Sequence, residues 1–131
     1  MQDFRHVRAW ESAVLVAVKT RKIVAKFPRR GYTELREQLV SAAESISHNI
    51  AEGRSASTSE EFLRFLGVAL RSASETASQH DLAVKYEIVS KKEAFDLMAT
   101  LICTRRMITS LQETIRADLR SERQDRTKRR K

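Results

Sequence analysis

With 131 residues, 41% of them hydrophobic, the chain is long enough for one domain with a real core. Three glycines and one proline supply little turn chemistry for a many-stranded fold, and a single cysteine excludes an intramolecular disulfide framework. The formal charge of +8 and a pI near 10.1 point to an anionic partner or surface, and no stretch approaches the roughly 20 apolar residues of a membrane span.

Taken in chain order, the first helix is predicted over residues 7–27. Val7, Trp10, Val14, Ala17, Val24 and Phe27 trace its apolar stripe, and Pro28 ends it by pushing the preceding residue out of the helical region. Arg29-Arg30-Gly31-Tyr32 forms the turn, and Thr33 is the expected N-cap, with Glu34 and Glu37 favourably placed in the following first turn. A second helix covers residues 34–52. Leu39, Ala42, Ala43, Ile46, Ile50 and Gly53 recur along it at helical spacing, and Gly53 is expected to stop it in the left-handed C′ conformation. Ser57 or Thr58, each with a glutamate three residues on, opens a third helix over residues 58–87. Ser90 and Glu93 form another capping box before a fourth, over residues 91–119, whose Leu97, Leu101, Ile108, Leu111 and Ile115 repeat at near-heptad spacing. No apolar residue follows Leu119, so residues 120–131 read as a basic, disordered tail.

Four helices with short connections give an all-α fold, an antiparallel up-down-up-down four-helix bundle spanning residues 1–119. Leu15, Leu70, Leu82 and Ile102 fall outside the main seams and favour self-association. The opening residues lack a basic segment followed by an apolar run, so a cytoplasmic protein without membrane attachment is expected.

The residues Phe4, Val7, Trp10-Glu11 and Ala13, then Phe27-Pro28, then Leu35, Gln38-Leu39, Ala42-Ala43, Ser45-Ile46 and Asn49-Ile50-Ala51-Glu52-Gly53 make a recognisable pattern. It continues through Glu61-Phe62, Phe65-Leu66, Ala69, Ser72 and Glu75. This pattern resembles the four-helix-bundle proteins encoded by intervening sequences of bacterial large-subunit ribosomal RNA genes, over residues 4–115. Arg71 and His80 depart from it, standing where glycine and leucine are expected. The resemblance implies a ring-like homopentamer with no enzymatic activity and no cofactor. The accessory protein of diversity-generating retroelements is a related bundle that binds a reverse transcriptase and nucleic acid.

Positive charge is segregated. Between Ser12 and Thr33 lie Lys19, Arg21, Lys22, Lys26, Arg29 and Arg30 with no acid, and the tail adds Arg126, Lys128, Arg129, Arg130 and Lys131. Repeated around an oligomer, such a surface would release counterions from many phosphates, and RNA or DNA is the expected partner. No recognition motif or stacking aromatic set is legible, so binding through the backbone with little sequence preference is expected. The alternative is a protein-interaction scaffold, such as an accessory subunit of a reverse transcriptase, with the basic surface meeting an acidic partner. Ser45, Asn49, Glu52, Ser72 and Glu75 read as a buried polar network holding the second and third helices in register, the alternative being a polar site there. Glu44, His48 and Glu52 share a helix face, but the Glu-x-x-His spacing of di-iron bundles is absent, so no metal site is expected. Cys103, without a histidine in a recognisable relationship, reads as a small buried or half-buried hydrophobe.

Overall fold

The computed structural model describes residues 4–130, which form four helices and no strand: α1 (Phe4–Ala25), α2 (Thr33–Arg54), α3 (Ser59–Lys85) and α4 (Lys91–Arg130). Each helix packs against two neighbours, α1 on α2, α2 on α3, α3 on α4 and α4 back on α1, which closes a bundle. Val16, Leu39, Ile46, Ile50, Leu66, Leu97, Leu101, Ile108, Leu111 and Ile115 fill its centre.

The boundaries follow local chemistry. At the end of α1, the amides of Lys26 and Phe27 bond the carbonyls of Ile23 and Val24 three residues back, so the chain tightens before Pro28 and buries Phe27. Gly31 (φ 84°) and Tyr32 (φ 57°) then turn it in the left-handed region. The expected N-cap is displaced by this turn: Thr33 is the first helical residue, Tyr32 holds the cap position, and its side chain caps nothing. At α3 the Thr58 hydroxyl accepts the Glu61 amide at 3.1 Å, and at α4 the Ser90 hydroxyl accepts that of Glu93 at 3.1 Å. Gly53 is not a left-handed stop. The helix runs through it to Arg54, and the reason for glycine lies in the approach of α3, as argued below.

The end of α3 is a Schellman motif: the Ile88 amide bonds Ala83 O at 3.2 Å, the Glu87 amide bonds Val84 O at 2.9 Å, and Glu87 sits left-handed at φ 61°. A glutamate there carries the Cβ penalty that glycine lacks. Glu87→Gly is therefore expected to stabilise the fold by about 1 kcal/mol, raising the melting midpoint by roughly 4 °C in a thermal scan.

Two further expectations change. On α1 the inward residues are His6, Ala9, Ala13, Val16, Thr20, Ile23 and Val24, whereas Val7 and Trp10 are partly exposed. The helix has two apolar faces, and the one with small residues faces inward, where Ala9 and Ala13 let the neighbouring helices come close. The segment expected to be a disordered tail instead continues α4 to Arg130. Losing the apolar stripe removes packing but no helical hydrogen bond. Residues 120–130 contain no glycine or proline, place Glu122 and Asp125 four residues before Arg126 and Arg129, and finish with cations at the negative end of the helix dipole.

His80 is fully buried where leucine was expected. Its Nε2 lies 3.3 Å from the Ala94 carbonyl, which can only accept, so the proton is on Nε2 and the buried Nδ1 lone pair has no partner. Burial pushes the His80 pKa below its ordinary value, against smaller opposing effects of the Ala94 carbonyl and Asp81. The unfolded chain then takes up a proton near pH 6.5 that the folded chain refuses, so stability falls as pH drops through that value. His80→Leu is expected to stabilise the protein by about 1 kcal/mol at pH 7, with a larger advantage at about pH 5.5, in denaturant titrations at both pH values.

Candidate nucleic-acid interface

The helix-one cations divide into paired and free groups. Lys19 Nζ donates to Thr100 Oγ1 at 2.7 Å and lies 3.0 Å from Asp96. Arg21 Nε donates to Glu44 at 2.7 Å, a pairing that raises the guanidinium pKa further. Lys26 donates to Glu93 at 3.0 Å, and that bond, helped by the Ser90 hydroxyl, holds the Glu93 carboxyl below its usual range. Lys22, Arg29 and Arg30 are exposed and form no ion pair among the described residues. The expected face of six cations thus shrinks to three with charge to spare, because acids on α2 and α4 come within bonding distance of the rest.

The two basic segments are not brought together. Arg5 Nη1 donates to Thr114 at 2.8 Å, Ser12 meets Thr104 at 2.6 Å, Lys19 meets Thr100, and Lys26 meets Glu93. Arg29 and Arg30 therefore sit at one end of the bundle, while α4 leaves the body at the other, beside Glu60 and Leu63 at the start of α3. Residues 120–130 extend the helix by about 16 Å at 1.5 Å per residue, with every side chain exposed.

Besides the tail cations Arg126, Lys128, Arg129, Arg130 and Lys131, the extension carries an ordered arginine face. Arg116, Arg120, Arg123, Thr127 and Arg130 are spaced by four, three, four and three, which puts four arginines on one face. Asp118, Glu122 and Asp125 follow the same spacing on the opposite face. No arginine of the stripe forms an ion pair among the described residues. The signal was present as a periodicity, but it needs the helix to continue before it means a surface. Lys131 lies outside the described residues.

Of the predicted polar network, three members meet. Asn49 Nδ2 donates to Ser45 O at 2.8 Å and to Ser45 Oγ at 3.0 Å, and Ser72 Oγ donates to Ser45 Oγ at 2.8 Å, joining α2 to α3. Glu52 and Glu75 lie outside it, exposed, because three further residues rotate each off the seam toward water. Glu44 is held by Arg21, and His48 Nε2 is 3.9 Å from Glu52. Among the described residues no three His, Cys, Asp or Glu side chains converge as metal ligands, Cys103 is exposed rather than buried, and no helix is long and apolar enough to cross a membrane.

These features define an all-α four-helix bundle whose most developed surface is electrostatic. The chain belongs to the family of 23S rRNA-intervening sequence proteins, whose family model matches residues 5–110. Its fold is similar to the crystal structure of a protein of unknown function from the S23 ribosomal protein family of Bacteroides thetaiotaomicron. That likeness has a TM-score of 0.75 at 18% identity and covers 83% of this chain and 98% of the other. No curated protein matches the chain. The arginine stripe begins beyond residue 110, outside the part matched by the family.

Proposed function

We propose that this protein is a non-enzymatic, cytoplasmic nucleic-acid-binding protein that contacts phosphates with little sequence preference. Its working form in this reading is a ring-like homopentamer of antiparallel up-down-up-down bundles. The antiparallel course is supported by the α1–α4 pairs, whose α4 numbers fall from Thr114 to Glu93 as the α1 numbers rise from Arg5 to Lys26. Self-association is supported by Leu15, Leu82, Phe95 and Ile102, all at least two-fifths exposed. Leu70, the fourth residue outside the seams, is half-buried.

The observation that carries the reading is the α4 stripe of unpaired arginines, held on a helix that projects from the body. Arginine offers phosphate a planar, bidentate donor, and a helix holds four of them in register with little ordering cost on binding. A ring would repeat the stripe, and each phosphate contact would release further counterions. The test is fluorescence anisotropy of a labelled structured RNA titrated with full-length protein across a salt series. Log affinity is expected to fall against log salt with a slope of about −3 or steeper. Absence of binding up to tens of micromolar protein at about 50 mM salt would overturn the reading.

A further inference from the structure

The end of the bundle opposite the arginine stripe carries a pair of aromatic rings that belong to neither the core nor the stripe. Tyr32 precedes α2 in the left-handed region, a conformation rare for a bulky side chain, and Tyr86 follows the last residue of α3. Far apart in sequence, the rings meet with centroids 5.6 Å apart and planes tilted by 44°. Both remain open to solvent, Tyr32 by 37% and Tyr86 by 50%. The rings stand beside a shallow groove between α2 and α3, whose lining includes Gln38, Gln79 and Leu82. Gln79 Nε2 donates to Gln38 Oε1 at 2.9 Å and Gln38 Nε2 donates to Glu34 Oε1 at 3.0 Å, which leaves the Gln79 amide oxygen at the groove edge.

Cations flank the rings along the chain. Arg29 and Arg30 precede Tyr32, Lys85 adjoins Tyr86, and Lys91 and Lys92 open α4 after the same turn; all five are exposed and form no ion pair among the described residues. Of the acids here, Glu34 lines the groove, Glu87 follows Tyr86 in the chain, and Glu93 is held by Lys26. Half-exposed aromatic rings among free cations have the composition of a single-strand site, in which a base stacks on a ring while neighbouring phosphates meet the charge.

We propose that Tyr32 and Tyr86 form a stacking platform for an unpaired base of single-stranded nucleic acid, with Arg29, Arg30 and Lys85 meeting the flanking phosphates. This rests on the nucleic-acid reading above and adds to it a preference for unpaired strands and a second site at the far end of the bundle. Phosphate contacts accept a duplex or a strand alike, whereas a ring face accepts only a base that has left its stack.

The test uses full-length protein and short RNA and DNA oligonucleotides carrying a central 2-aminopurine, single-stranded and in duplex. Stacking on a tyrosine is expected to change the probe's fluorescence on binding of the single strands but not of the duplexes, and the RNA and DNA arms show which sugar the site takes. A Tyr32→Leu/Tyr86→Leu variant is expected to bind the single strands about tenfold more weakly, with the salt slope and duplex binding unchanged. Tyr32→Phe/Tyr86→Phe keeps the ring faces and is expected to bind like the parent, and Tyr86→Leu alone leaves the left-handed turn at Tyr32 untouched should the double variant unfold. Equal single-strand affinity in the parent and a folded leucine variant would overturn the platform while leaving phosphate binding standing. Failure of the parent to bind any of the four probes would overturn both.

Discussion

A chain ending at Leu119 is expected to bind structured RNA roughly 100-fold more weakly than the full chain at about 50 mM salt, with a salt slope shallower by about 2 to 3. The cut removes Arg120, Arg123 and Arg130 from the stripe, and each phosphate contact contributes roughly 0.7 to 0.9 to that slope. Stability is expected to stay within about 0.5 kcal/mol of the parent, since every residue from 120 to 130 is exposed. Circular dichroism should show only the loss of the extension's helical signal. A charge-matched control separates geometry from net charge. Arg120→Gln/Arg123→Gln/Arg130→Gln empties the stripe, while Arg126→Gln/Lys128→Gln/Arg129→Gln removes the same charge from other faces. The first triple is expected to lose more affinity than the second. Equal losses would mean that the extension acts as a diffuse cationic tail.

Gly53→Ala is expected to destabilise the bundle by about 1 to 2 kcal/mol, although alanine is the better helix former by about 1 kcal/mol. A Cβ at this position would lie 2.7 Å from Phe62 Cδ1, 3.0 Å from its Cε1 and 3.1 Å from Phe65 Cβ. The Phe62 ring can swing aside at some cost in packing. The Phe65 Cβ is fixed to its backbone, so relief there requires α3 to shift. Gly67, inside α3, supplies the internal comparison: a Cβ there meets nothing within 4 Å. Gly67→Ala is therefore expected to stabilise by up to about 1 kcal/mol. Opposite signs at two helical glycines, read from urea midpoints, identify close approach as the cause. Phe62→Ala is expected to soften the Gly53→Ala penalty in a double-mutant cycle, because it removes Cδ1 and Cε1, the ring atoms nearest the new methyl. If Gly53→Ala proves stabilising, α3 does not approach as closely as the structure has it.

Gly53 also shows where the sequence stopped being legible. The glycine was visible, and so was the punctuation around it, since a stop signal and the Thr58 cap both belong to short local segments. A C′ glycine and a close-approach glycine look identical until the position of α3 is known, and Phe62 and Phe65 supply that only in the folded bundle. The arginine stripe failed for a different reason. Its spacing is legible in the chain, but the loss of apolar residues after Leu119 removes the periodic signal by which a helix is read. Hydrophobic periodicity reports packing against a core; helix continuation requires only unbroken backbone bonding and good helix formers.

The sequence by itself determined the number of helices, the start of α3 at Ser57 or Thr58, the α4 cap at Ser90, the inward faces of α2 and α4, and the excess of positive charge. Each follows from residues within a few positions of one another, where caps, breakers and the 3.6-residue period act. Tertiary structure alone decided which of two apolar faces α1 turns inward and which cations on α1 are neutralised by Glu44, Glu93 and Asp96. It alone placed Tyr32 against Tyr86 and the two basic segments at opposite ends. Those outcomes depend on distances between segments remote in the chain, which are set by how closely the helices pack and carry no signature in local spacing.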